Sequence, residues 1–184
     1  MLSAIEHPGK RLVMKTNIVL TGFMGTGKST IGKRLAYILD KGFLDTDREI
    51  ERITGQRIPE IFRRHGERRF RAEEKLALRR AACLRNYVIS TGGGAVTHET
   101  EMDLLREHGW IVCLAVKVDT IVERLKRRKP QPPLDFKNLR HSVESMLEKR
   151  EKFYRKADLY LDTSGLNINQ IVNRIVEFVE RRGG

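Results

Sequence analysis

The chain has 184 residues, of which 40% are hydrophobic and 33% charged, with five prolines and two cysteines. That is one domain's worth of polypeptide, long enough to bury a core without disulfide staples. The balance excludes disordered, collagen-like and low-complexity chains. No apolar run approaches the roughly 20 residues of a membrane-spanning helix. The N-terminal stretch MLSAIEHPGKRLVMK lacks the apolar segment and small-residue cleavage site of a secretory signal. Cys83 and Cys113 form no CxxC pair, so reduced thiols in a cytoplasmic protein are expected. The net charge of +12 suits nucleic acid, an acidic membrane or small polyanions. No zinc finger, RNP motif or basic zipper accompanies it, so no nucleic acid is expected, and without a spanning run no membrane; charge alone does not choose the partner, and a solvated basic surface with no ligand fits it too.

Residues 1–15 read as an extension, and 16–184 as a single domain. Asn17–Thr21 is a short buried strand bounded by glycine. Lys28–Asp40 carries Ile31, Leu35, Ile38 and Leu39 at helical spacing. Phe43-Leu44 is a strand running into Asp45-Thr46-Asp47. A helical region follows from 48 to 85, broken at Gly55 and Gly66. Tyr87–Ser90 is a strand ending in Gly92-Gly93-Gly94. Helix Glu99–His108, strand Trp110–Val116 and helix Thr120–Arg128 come next. Then come a proline-rich break, helix Leu139–Lys156, strand Leu159–Leu161 and helix Asn167–Arg182. Strands alternating with helices imply an α/β fold with a parallel sheet covered on both faces.

The sharpest motif is Gly22-Phe-Met-Gly-Thr-Gly-Lys28-Ser29, followed by Thr30. It fits G-x-x-x-x-G-K-[ST] and lies between a strand and a helix, where a phosphate-binding loop belongs. The loop amides, including those of Gly25, Thr26 and Gly27, converge on phosphate oxygens, and the helix adds the positive end of its dipole. Lys28 supplies an ammonium for the β- and γ-phosphates, and Ser29 a hydroxyl for magnesium. ATP or GTP with Mg²⁺ follows from the motif. The acceptor does not.

Asp45 and Asp47 lie past the second strand, at the sheet edge where ligands bind. In an extended segment, residues two apart point the same way, so both carboxylates can share a site. Equally, Asp47 can cap the following helix. Arg71 and Glu74, three apart on a helix, can pair, which would fix the guanidinium as a fork for a carboxylate. The three glycines let a ligand approach the backbone. Arg150, on a helix of mixed charge, reads by itself as a solvated basic residue.

Taken in order, these pieces resemble the shikimate kinase family over almost the whole chain from Asn17. They are GFMGTGKST, Leu44-Asp45-Thr-Asp47, Gly66-Glu67 with Phe70-Arg71 and Glu74, Ser90-Thr-Gly-Gly-Gly-Ala95, Lys149-Arg150 with Tyr154 and Ala157-Asp158, and Leu161-Asp162-Thr163. The resemblance implies a three-layer α/β/α fold with strand order 2-3-1-4-5, and ATP-dependent phosphorylation of the shikimate 3-hydroxyl by a monomer. It implies Asp45 beside magnesium, and Asp47 on the substrate hydroxyls as the base. It implies Arg71, Gly93, Gly94 and Arg150 around shikimate, Glu74 as the partner that orients the arginines, and Arg124 against adenine. The family's lid carries Arg-Pro-Leu-Leu. The lid here, about 127–138, keeps Pro133-Leu134, but Gln131 or Pro132 stands where the arginine belongs. Arg128 or Lys129 is expected to supply that charge, from an exposed loop. The alternatives are a kinase of another hydroxy acid such as gluconate, and a nucleotide-binding regulatory module.

Overall fold

A computed structural model describes residues 14–127 and 133–183. Arg128, Lys129, Gln131 and Pro132 lie outside the described residues, as do residues 1–13. Five parallel strands form one sheet in the order β2-β3-β1-β4-β5. They are β1 (Asn17–Thr21), β2 (Gly42–Asp45), β3 (Tyr87–Ser90), β4 (Gly109–Ala115) and β5 (Leu159–Asp162). The helices are α1 (Lys28–Ile38), α2 (Thr46–Thr54), α3 (Ile58–Ala82), α4 (Glu99–His108), α5 (Val118–Lys126), α6 (Leu139–Tyr154) and α7 (Ile168–Gly183). A short 3₁₀ turn, Ala95–Thr97, precedes α4.

The central strand β1 pairs with β3 on one side and β4 on the other, so it is buried throughout. Side chains alternate across the sheet. Ile18 and Leu20 pack with Ile31 and Leu35 of α1 and with Ile171 and Ile175 of α7. Val19 faces the other way, with Leu78 and Ala81 of α3 and Leu105 of α4. Each such fully buried aliphatic side chain contributes about 1.5–3 kcal/mol relative to exposure. A third cluster joins Phe23 to α5 and α6. Cys83 and Cys113 are both free. Cys113 is buried in β4, which pushes its thiol up to about 12 and leaves it inert.

Gly55 ends α2 in the left-handed conformation (φ 66°). Gly66 interrupts α3 with φ 76° and ψ 174°. Both breaks stand where the sequence puts them. The segment expected as an exposed loop differs at Leu134. Arg127 and Pro133 are exposed, but Leu134 is buried with Phe23, Ile121 and Leu139. An apolar side chain beside this cluster gains more from burial than from water, so the chain is anchored at Leu134.

Chain direction at the end of β1 depends on Gly22. Its φ is +134°, and a Cβ there would lie 2.3 Å from the carbonyl oxygen of Leu114. Gly22→Ala combines backbone strain with a clash against backbone that cannot swing aside. Urea unfolding should show a loss of about 1–3 kcal/mol or more. An unchanged midpoint would contradict this packing of β1 against β4.

Candidate active site

The glycine-rich loop joins β1 to α1. Lys28 is only 8% exposed, and its Nζ donates to the carbonyls of Gly22 (2.8 Å) and Phe23 (3.0 Å). The loop thus holds the ammonium along its own inner curve. No described side chain caps the N-terminus of α1, so its first amides keep their donors for an anion. Thr26 turns inward, its hydroxyl donating to Phe23 O at 2.9 Å, and offers the cavity no side chain. Arg124 on α5 donates to Gly25 O at 2.9 Å, placing its guanidinium at the outer edge of the loop.

Ser29 and Asp45 are in direct contact. The Ser29 hydroxyl donates to Asp45 Oδ2 at 2.5 Å, and Ser90 Oγ lies 3.5 Å from Ser29 Oγ. Asp45 Oδ1 accepts from the amides of Asp47 (3.2 Å) and Arg48 (3.3 Å). Asp45 is therefore the cap of α2, not Asp47. Asp47 is not in an extended segment either. It lies in the first turn of α2, yet both carboxylates line one cavity.

Asp47 is partly exposed as a residue, yet its Oδ1 is sealed and has no hydrogen-bond partner among the described residues. Burial, and then the nearby charges of Glu74 and Asp45, push its carboxyl from 3.8 up to about 7, with Lys28 opposing. Glu74, on α3, meets the opposite fate. Burial would raise it, but hydrogen bonds from His98 and Arg71 outweigh burial and hold it below the ordinary glutamate value. Arg71 Nη1 donates to Glu74 Oε2 at 2.7 Å, and His98 Nε2 donates to the same oxygen at 2.9 Å. On its other side Arg71 donates through Nε (3.1 Å) and Nη2 (2.8 Å) to Glu67 Oε1. Guanidinium has five N–H donors. Those three bonds leave two donors for a ligand.

The glycine triplet after β3 works by sterics. A Cβ at Gly92 would lie 2.6 Å from Asp47 Oδ1 and 2.7 Å from Glu74 Oε1. One at Gly94 would lie 2.4 Å from Arg71 Nη1, and one at Gly93 would lie 3.0 Å from the Met24 amide. The expectation was room for a ligand. The room is first taken by the protein's own charged groups and loop. The Gly93 carbonyl accepts from Arg150 Nη1 (3.0 Å) and from the Tyr154 hydroxyl (2.9 Å). Arg150 is 7% exposed, so it is not the solvated surface residue that its helix suggested when read alone.

A cavity of about 150 Å³ opens among these groups. Gly25, Gly27, Lys28, Ser29 and Thr30 of the loop and α1 line it. Arg71, Glu74, Gly93, Gly94 and Arg150 line it as well, with Asp45 bonded to Ser29 and Asp47 near the charges of both Glu74 and Lys28. Thr26 and Arg124 are not in its wall. Ile58, Phe70 and Pro133 add an apolar side that sequence reasoning missed, as it missed His98 and the roles of Glu67 and Tyr154. Tyr154 could have been found from its place one turn after Arg150 on the same helix. His98 had no local signal.

A phosphate loop on a 2-3-1-4-5 sheet, opening on a pocket that holds Lys28, Arg71 and Arg150 together with Asp45, Asp47 and Glu74, is the frame of a small-molecule kinase. The shikimate kinase family profile matches residues 24–180, and the chain belongs to that family. The chain is 43% identical to the shikimate kinase of Pelotomaculum thermopropionicum over 164 residues, 89% of this chain and 95% of that one. It is 43% identical to that of Geobacter sulfurreducens over 163 residues, 89% and 90% of the two chains. Among solved structures, the shikimate kinase of Acinetobacter baumannii in complex with shikimate superposes with a TM-score of 0.87 at 34% identity, covering 93% of this chain and 96% of that one. A gluconokinase from Sinorhizobium meliloti (TM-score 0.58, 15% identity, 94% of this chain and 95% of that one) shares the fold alone. Among the described residues no helix is long and apolar enough to cross a membrane.

The raised Asp47 makes a pH prediction. Between about 4 and 7 the folded form holds a proton that the unfolded chain has released, so this group's contribution falls as pH rises through that window. Asp47→Asn removes the effect. Its stability relative to wild type, read from urea midpoints, should improve steadily from about pH 4.5 to about pH 7.5. A difference that stays constant with pH would contradict the burial of charge at Asp47.

Proposed function

We propose that this chain transfers the γ-phosphoryl group of ATP to the 3-hydroxyl of shikimate, releasing ADP. The observation that carries the reading is one cavity lined by Lys28 and Ser29 of the phosphate loop, by Arg71 and Arg150, and by Asp47. It has the polarity of a phosphate donor set against an acceptor bearing both a carboxylate and hydroxyls. Arg71 and Arg150 bind the carboxylate, Gly93 and Gly94 set the floor, and Asp47 holds the ring hydroxyls. Lys28 and the amides at the start of α1 neutralise the phosphates, and Arg124 covers the adenine.

In the transfer, the acceptor oxygen bonds to the γ-phosphorus as the bond to the β–γ bridging oxygen breaks. Asp47 takes the hydroxyl proton. A carboxyl near 7 is a far better proton acceptor than an ordinary aspartate. Lys28 stabilises the charge on the departing ADP. Ser29 and Asp45 form an all-oxygen donor pair that suits magnesium, held with the ATP phosphates. When bound, it would offset phosphate charge. On this reading the enzyme works in the cytoplasm as a monomer, residues 1–15 are an extension to a single kinase domain, and Arg128 or Lys129 closes the lid charge.

The test is coupled ADP release with shikimate, gluconate and other hydroxy acids. Shikimate should give turnover well above the rest. Arg71→Ala and Arg150→Ala should each raise the shikimate KM by about tenfold or more, the scale of a charge-assisted hydrogen bond, and leave the ATP KM nearly unchanged. Preference for another acceptor, or a shift in the ATP KM alone, would overturn the assignment. Folded protein that binds ATP but releases no ADP with any acceptor would favour the regulatory module.

A further inference from the structure

His98 is not in the wall of the cavity, yet it meets the group that holds Arg71. It lies between the 3₁₀ turn and α4, 8% exposed, with Nε2 2.9 Å from Glu74 Oε2. Its backbone has a separate task. The His98 amide donates to Ala95 O at 3.0 Å, and its carbonyl accepts from the Met102 amide at 2.9 Å, starting α4. Those two bonds do not involve the imidazole. The side chain is therefore free to serve another purpose, and a substitution can remove that purpose while keeping the turn.

Glu74 is 1% exposed. Its Oε2 receives Arg71 from α3 itself and His98 from the segment after β3. The final torsion of a glutamate side chain is intrinsically broad. Arg71 alone cannot fix it, because Arg71 hangs from the same helix and depends on the same carboxylate. His98 supplies a reference from a different element, the one that also carries Gly93 and Gly94. The imidazole thereby ties Arg71 to the floor of the acceptor pocket.

We propose that His98 is a positioning residue for acceptor recognition, acting through Glu74 on Arg71. This rests on the reading of Arg71 as a carboxylate ligand. Removing the imidazole leaves Arg71 charged and present, but lets the Glu74–Arg71 pair rotate away from the pocket floor. The expected loss is in acceptor affinity, with nucleotide binding untouched.

The experiment is steady-state kinetics on a double-substitution cycle in the full chain. His98→Ala should raise the shikimate KM about three- to tenfold, the scale of one hydrogen bond, with ATP KM unchanged. His98→Gln, which keeps an N–H donor, should recover most of the loss. Adding His98→Ala to Glu74→Gln should raise the KM no further, since the route runs through Glu74. If His98→Ala does not fold, His98→Leu fills the space without a donor and takes its place in the cycle. An unmoved shikimate KM, equal shifts in both KM values, or full additivity with Glu74→Gln overturns the proposal. The wild-type assay separates it from the function itself. No shikimate-dependent ADP release by wild type removes the acceptor assignment and this inference together, whereas an active wild type with an unmoved His98 variant removes only the inference.

Discussion

A buried, ionised carboxylate is the constraint on which the Arg71 side of the cavity depends. Glu74 is almost fully enclosed, and an enclosed charge is strongly disfavoured unless donors surround it. Arg71 and His98 provide them on one oxygen. The requirement works in both directions. Glu74 needs Arg71 to stay charged, and Arg71 needs Glu74 to stay aimed. Glu67 closes the other side of the guanidinium at the surface. Two N–H donors are left over, and they are held rather than loose, so little side-chain freedom remains to be lost when a carboxylate arrives.

The same carboxylate adds to what burial does to its neighbour. Asp47 and Glu74 both crowd the α-carbon of Gly92. Glu74 has the donors and stays ionised. Asp47 has an orphaned oxygen, and its carboxyl is driven up. Two acids with opposite environments, side by side, are a physical route to an acid–base group near neutral pH. The triplet at 92–94 makes this possible because none of the three positions has space for a methyl group beside what already lies there. Arg150 and Tyr154 then pin the Gly93 carbonyl from α6, so the pocket floor is held from below as well as from α3.

Local signals in the sequence carried a good deal of this. The phosphate loop is contiguous, and its spacing alone locates the anion site. Hydrophobic spacing marks the strands and helices, and Gly55 and Gly66 mark the breaks. The Arg71–Glu74 pair follows from helix geometry three residues apart. Other features depend on contacts distant in the chain. Capping of α2 falls to Asp45 rather than Asp47, because an aspartate side chain can accept the amides two and three residues on and start a helix. His98 reaches Glu74 across 24 positions, and Arg150 reaches Gly93 across 57. No periodicity encodes such contacts. Leu134 was legible as an apolar residue, but not as an anchor, because the cluster it joins is assembled from the loop, α5 and α6.

Glu74 is thus the point where the account is most exposed. Calorimetric titration of shikimate into wild type and Glu74→Gln, without nucleotide, isolates its effect from turnover. The substitution keeps the size and a hydrogen-bonding oxygen, but removes the charge that aims Arg71. Shikimate affinity should fall by about tenfold or more, the scale of a lost charge-assisted hydrogen bond, while ATP affinity measured separately stays the same. Equal shikimate affinity in the two proteins would contradict the claim that a buried charge organises the acceptor site.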